Sequence, residues 1–203
     1  MARKAVFLDR DGVINAYAYD PEFGTFDSPA NPEQFTLLPG VAEAVARLNK
    51  EGFLTIVVSN QPGVAKGHFT PALLEAVTRK MKVLVEQGGG NLDGVYYCPH
   101  HPTDGQSPYV TTCDCRKPRT GLVDKAAREL DIDIRTSYVV GDKWSDVELG
   151  QRAGAHSVLV ETGFAPDDPG NKRPHNIADP EFTAHSLSEA ADWIIQRVIA
   201  GMK

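Results

Sequence analysis

Cys98, His100, Cys113 and Cys115 stand in a CPHHP…CDC frame that runs straight into Arg116-Lys117-Pro118, and they use every cysteine of the 203-residue chain. Three thiols cannot form an even disulfide framework, and two of them are one residue apart, too close for an ordinary disulfide. One imidazole and three thiolates suit tetrahedral Zn2+, and a full set with no open position is the structural kind. The C-x-H and C-x-C spacings put the two ligands of each pair on the same side of an extended segment, with twelve residues between His100 and Cys113. His101 competes for the histidine role. His100 is preferred because its offset from Cys98 mirrors that of Cys113 from Cys115.

A second set is made of oxygens. In Asp9-Arg10-Asp11-Gly12 the two aspartates, two apart on an extended chain, face one side, and Gly12 lets the chain turn at once. Close carboxylates repel, which favours a bound cation or one proton held between them. Hard oxygens beside a phosphate suit Mg2+. Asp142, in Gly141-Asp142-Lys143, can complete the protein ligands of such an ion. An Asp-x-Asp pair by itself is more often a strand cap, so the weight rests on its convergence with Ser59, Lys117 and Asp142.

Such convergence needs a scaffold. Ala5 to Leu8 is a short apolar run, and Phe53 to Val58, Val95 to Tyr97, Tyr138 to Val140 and Ser157 to Val160 read as further strands. Val41 to Leu48, Pro71 to Val85, Leu122 to Leu130, Val147 to Ala153 and Leu187 to Ile199 carry apolar residues at helical spacing. Thr70 before Pro71 predicts an N-cap. Continuous apolar strands separated by helices predict an α/β fold, a three-layer, Rossmann-like parallel sheet with helices on both faces. Residues 1–203 are expected to form one domain, with a metal loop over 98–115 and no large cap. The ligand crevice of such a sheet lies at the carboxyl ends of its strands, and here those ends run into Asp9, Ser59, Cys98 and Asp142. Two long loops remain, Asn15 to Pro39 and Thr162 to Thr183. The first lies beside the aspartates and is expected to act as a flap shaping the entrance.

A net charge of -6, from 21 basic and 27 acidic residues, argues against a nucleic-acid partner. No apolar run approaches the roughly 20 residues that cross a bilayer, and Met1-Ala2-Arg3-Lys4 leads into a strand rather than a signal core. Thiolates kept for metal predict a cytoplasmic protein. The expected partner is a small molecule, bound by a monomer. A receiver-like module storing phosphate on Asp9 is the alternative outside enzymes; Asp11, able to activate water next to the acceptor, argues against it.

The run DRDGVIN from Asp9 to Asn15, the strand ending in Ser59-Asn60-Gln61, the lysine of CRKP and GDKWSD from Gly141 to Asp146 resemble the four motifs of the haloacid dehalogenase superfamily, in the expected order. The inserted cysteine loop is similar to that of its zinc-loop branch, which holds phosphatases of heptose bisphosphates and of histidinol phosphate. The twelve-residue gap is similar to the heptose members. The resemblance implies a phosphate monoester hydrolase with catalytic Mg2+ and structural Zn2+. It implies that Asp9 attacks phosphorus and that Asp11 is first acid, then base. Ser59 and Lys117 would meet the charge on the transferring group. Mg2+ would sit on Asp9, the Asp11 backbone carbonyl and Asp142. Arg116 and Lys143 are implied contacts to the sugar or a distal phosphate, Asn60 and Gln61 line the entrance, and Tyr17 and Asp20 touch substrate. Asp146 supports the metal site from behind; as a helix N-terminal acid it would also suit the dipole. The Asn15–Pro39 segment is longer than in the proteins that the chain otherwise resembles.

Overall fold

The computed structural model describes residues 2–20, 24–163 and 171–201, with the side chains of Asp20 and Thr25 outside that description. Strand β1 (Ala5–Leu8) is followed by a short hairpin, β2 (Ala18–Asp20) with β3 (Thr25–Asp27), then helix α1 (Val41–Lys50) and β4 (Leu54–Asn60). One helical turn, α2 (Gly63–Lys66), precedes α3 (Pro71–Gln87), β5 (Gly94–Cys98) and α4 (Gly121–Leu130). The chain continues through β6 (Tyr138–Gly141), α5 (Trp144–Ala153), β7 (His156–Val160), β8 (Phe182–Ala184) and α6 (Leu187–Ile199).

Six strands pair in the order β5-β4-β1-β6-β7-β8. Every pairing is parallel. Alternation along the strands then fixes the layers. Val6, Leu8, Val57 and Val140 enter a core with α1, α3 and α6. Ala5, Phe7, Ile56, Val58 and Val139 point to the opposite side, where Leu122, Val123 and Ala126 of α4 and Leu149 of α5 cover them. This is the three-layer arrangement expected from the apolar runs. The Thr70 cap is present, its hydroxyl accepting from the Leu73 amide at 3.2 Å.

Three elements escape the periodicity. β8 makes the sheet six strands rather than five, and it lies at the end of what reads as the second long loop. The first loop contains the β2–β3 hairpin, with Tyr19 opposite Phe26. Three residues span too little chain for a period of two to register, and the α2 turn is likewise too short for a helical repeat. The hairpin and one short 3-10 turn (Pro32–Gln34) are the only regular elements between β1 and α1 among the described residues, and no separate cap is built there.

Candidate active site

The site forms at the carboxyl ends of β1, β4, β5 and β6. The Asp9 amide donates to Val140 O at 3.0 Å, extending the β1–β6 ladder by one residue and fixing where the first aspartate leaves the sheet. Gly12 follows with φ +82°, and a Cβ there would strike the Asp142 carboxylate, so only glycine permits this turn. A Cβ on the adjacent Gly163 would strike the same carboxylate, so two backbones without side chains pack against Asp142.

Lys117 is the centre of the charge network. Its ammonium lies 2.9 Å from Asp9 Oδ1 and 2.6 Å from Asp146 Oδ1, and it donates to Val58 O at 3.1 Å. Burial alone would favour loss of its proton, but Asp146 and Asp9 outweigh that and raise its pKa above the ordinary lysine value. It is therefore a fixed cation. Asp146 has two tasks, since its Oδ2 also accepts from the Lys143 amide at 3.2 Å and caps α5. The helix N-terminal role of Asp146 is thus combined with an ion pair to Lys117.

Oxygens of Asp9, Asp142 and Asp146 lie within 4.8 Å of one another, three buried carboxylates against one ammonium. Burial, Asp9 and Asp146 push the Asp142 carboxyl up to about 7. Its Oδ2 accepts from Tyr17 Oη at 2.9 Å. Oδ1 is buried without a hydrogen-bond partner. An uncompensated anionic cluster with an unpartnered hard oxygen fits a divalent cation such as Mg2+.

The Asp11 carboxylate is surrounded by donors of its own. Its Oδ1 accepts from Arg10 Nη2 at 2.9 Å, Arg10 Nε at 3.1 Å and Asn15 Nδ2 at 2.9 Å. Its Oδ2 accepts from Gln61 Nε2 at 2.8 Å, Ser28 Oγ at 2.8 Å and Arg10 Nη2 at 3.1 Å. Burial would raise its pKa, but Arg10 and these donors overcome burial and lower it. The partner of Asp11 is its neighbour Arg10, a residue without a role in the motif reading. The signal was present only as a basic residue between two acids.

An open pocket above the aspartates is lined by Ser59, Asn60, Arg116, Lys117, Lys143 and Ser145, and by Tyr17, Phe26, Asp27 and Ser28 from the hairpin side. Most of the expected positions therefore meet here. Gln61 does not line the entrance: it is fully buried and donates to Asp11 and, at 3.2 Å, to Ser59 Oγ. Asn60 lines the pocket and also clamps the lysine segment, accepting from the Lys117 amide at 3.0 Å and donating to Lys117 O at 3.3 Å. Tyr17 reaches Asp142, and the side chain of Asp20 lies outside the described residues. Asn171, from the second long loop, is a further residue that motif reading missed. It accepts from the Trp144 amide at 2.8 Å and donates to Asp142 O at 3.3 Å, stapling the β6–α5 turn.

The cysteine frame closes on itself beside this pocket. Cys98 Sγ lies 3.5 Å from Cys113 Sγ and 3.1 Å from Cys115 Sγ, and His100 Nδ1 lies 3.3 Å from Cys115 Sγ. All three thiols are free of disulfides. Four soft donors gathered round one point fit Zn2+. The ring nitrogen gathered with the three sulfurs is that of His100, whereas His101 Nδ1 accepts from the Asp104 amide at 2.8 Å. Arg116 Nη1 donates to His100 O at 3.1 Å, so the frame holds the residue next to Lys117.

A sheet-end aspartate backed by a buried lysine defines the class, and the comparisons agree. A family model described as HAD-hydrolase-like matches residues 114–190. The D-glycero-beta-D-manno-heptose-1,7-bisphosphate 7-phosphatase of Haemophilus ducreyi is 40% identical over 176 residues, 85% of this chain and 91% of the relative. That of Pasteurella multocida is 38% identical over 179 residues, 87% and 92% of the two chains. Among solved structures, the D,D-heptose 1,7-bisphosphate phosphatase of B. bronchiseptica complexed with magnesium and phosphate is 31% identical with a TM-score of 0.78, covering 96% of this chain and 99% of that one. This chain belongs to the family of the heptose-bisphosphate phosphatases, within the HAD-like hydrolases.

Proposed function

We propose that this protein is a Mg2+-dependent phosphatase that removes the 7-phosphate of D-glycero-D-manno-heptose 1,7-bisphosphate through an aspartyl-phosphate on Asp9. The observation that carries the reading is the Lys117 ammonium held between Asp9 and Asp146, at 2.9 and 2.6 Å, on the wall of a pocket that also presents Arg116 and Lys143. The relatives' names support the substrate. So do Arg116 and Lys143, because a second phosphate is met by cations that a lone phosphate would leave unused. This disfavours histidinol phosphate, itself a cation at its other end.

In the first step an Asp9 oxygen attacks phosphorus in line, and the bond to the sugar oxygen breaks. That oxygen takes a proton from Asp11. An arriving phosphate dianion raises the proton affinity of Asp11, offsetting the pull of Arg10. In the second step Asp11, now a carboxylate, takes a proton from water as the water oxygen attacks phosphorus, releasing phosphate and regenerating Asp9. Lys117 and Ser59 Oγ meet charge on the transferring group in both steps. Mg2+, held by Asp9, Asp142 and the Asp11 carbonyl with Asp146 behind them, would neutralise phosphoryl charge. Zn2+ on Cys98, His100, Cys113 and Cys115 would pin Arg116 and Lys117 from outside the reaction. Clustered free thiols support a cytoplasmic setting. A heptose 1-phosphate product suits a route to nucleotide-activated heptose for glycans such as lipopolysaccharide.

Steady-state comparison of both heptose 1,7-bisphosphate anomers with histidinol phosphate, with Mg2+ present, tests the substrate. A preference for histidinol phosphate overturns it. Two further outcomes concern the metals. Asp142 titrates at about 7 without metal, so below that pH a proton competes with the cation. The apparent Mg2+ affinity measured by calorimetry should fall up to about tenfold per pH unit below 7 and level off above it. An affinity flat from about pH 5.5 to 8 would remove Asp142 from the ligand set. Cys115→Ala should release the frame and lower kcat by about 10²-fold through a displaced Lys117, while Mg2+ affinity is retained. Full activity in protein verified zinc-free would contradict that role.

A further inference from the structure

Arg10 is fully buried, and burying a guanidinium in a small domain is costly unless every contact is used. It does not line the pocket and cannot reach a substrate. Two of its three nitrogens are committed to Asp11: Nε and Nη2 grip Oδ1 at 3.1 and 2.9 Å, and Nη2 also reaches Oδ2 at 3.1 Å, while Nη1 is buried without a hydrogen-bond partner. The guanidinium lies over the Tyr97 ring, 5.7 Å from its centroid, and Tyr97 Oη is tied to Thr78 Oγ1 of α3 at 3.0 Å. Its backbone amide meanwhile donates to Asp9 Oδ1 at 2.7 Å. One residue therefore holds both aspartates, and it is braced from the sheet and from a helix.

The distribution of donors round Asp11 is asymmetric. Oδ1 is occupied by Arg10 twice and by Asn15, both completely buried. Oδ2 is held from below by Gln61, while its third partner, Ser28 Oγ, belongs to the hairpin segment and lines the pocket. Exchanging Ser28 for a substrate oxygen would cost no buried bond.

We infer that Arg10 is a positioning residue that fixes Asp11 so that Oδ2, the oxygen now bonded to Ser28, is the one that passes a proton to the leaving sugar oxygen. The fork of Arg10 locks rotation of the carboxylate, since two nitrogens on one oxygen and a third contact on the other admit a single orientation. The sugar oxygen enters where Ser28 Oγ stands. This rests on the acid role of Asp11 given above.

The test compares Arg10→Lys with Asp11→Asn on two substrates, the heptose bisphosphate and an aryl phosphate whose phenolate leaves without a proton. Lysine keeps the charge beside Asp11 and loses the fork; Arg10→Gln, which keeps a donor, serves if the lysine variant does not accumulate folded. kcat/KM reports the steps up to departure of the alcohol. We expect Arg10→Lys to lower it by about 10- to 100-fold for the heptose bisphosphate and less than about 3-fold for the aryl phosphate. Inhibition by inorganic phosphate should be unchanged, showing that the phosphate site is intact. Equal losses on both substrates, or weakened phosphate inhibition, would overturn the positioning role if Asp11→Asn still discriminates between the leaving groups. If Asp11→Asn does not discriminate, the acid role of Asp11 falls, and the inference with it.

Discussion

Asp9→Asn should abolish turnover, lowering kcat by roughly 10⁴-fold or more, the scale on which removal of a covalent nucleophile is felt. The amide is isosteric and keeps an oxygen for the Arg10 amide, which now donates to Asp9 Oδ1 at 2.7 Å. Lys117 retains Asp146 at 2.6 Å and Val58 O at 3.1 Å, so the charge network loses one arm and not its anchor. The fold should be preserved, as a thermal melt will show. Trapping provides the sharper readout: labelled phosphate should appear on wild-type protein during turnover and be absent from the variant. Activity within tenfold of wild type would remove Asp9 from the nucleophile's role.

Lys117→Met should be the most damaging single change to the molecule as a whole. The methionine fills the space of the lysine stem, but it strands Asp9 and Asp146, both almost completely buried, without their cation. Removing one partner of a buried ion pair costs about 3–5 kcal/mol, because the other charge remains in a medium that solvates it poorly. For a chain of this size that corresponds to a fall in Tm of roughly 10 °C in metal-free protein. Activity should drop by about 10²- to 10³-fold from loss of one charge donor. The two effects can be separated. Adding Asp146→Asn removes one stranded charge, so the double variant should regain part of the lost stability and none of the lost rate. A double variant no more stable than Lys117→Met would show that Asp146 is not the group that Lys117 neutralises.

The sequence by itself determined where the chemistry could gather. Continuous apolar runs can only be strands covered on both faces, so β1, β4, β6 and β7 follow from composition, and the parallel sheet forces their carboxyl ends to one edge. Asp9, Ser59 and Asp142 therefore had to converge. Cysteine arithmetic likewise pointed to the metal frame, since three thiols with these spacings have few other uses. The weak places were local patterns too short to carry a period: the hairpin, α2 and β8.

Only the tertiary structure decided who partners whom within the site. His100 rather than His101 places its ring nitrogen among the three sulfurs, while His101 caps a turn at Asp104, a contact that spacing cannot reveal. Gln61, a polar residue just past a strand end, is buried against Asp11 instead of facing substrate. Asn171 reaches the β6–α5 turn from 27 residues beyond Trp144. The Asp11 carboxylate is paired with its neighbour Arg10. Each of these is a choice among several donors within reach, and side-chain direction and desolvation settle that choice only after the backbone is folded. Residue type and strand order limit which groups can meet; the hydrogen bond that each makes there depends on angles and burial created by segments far away in the chain.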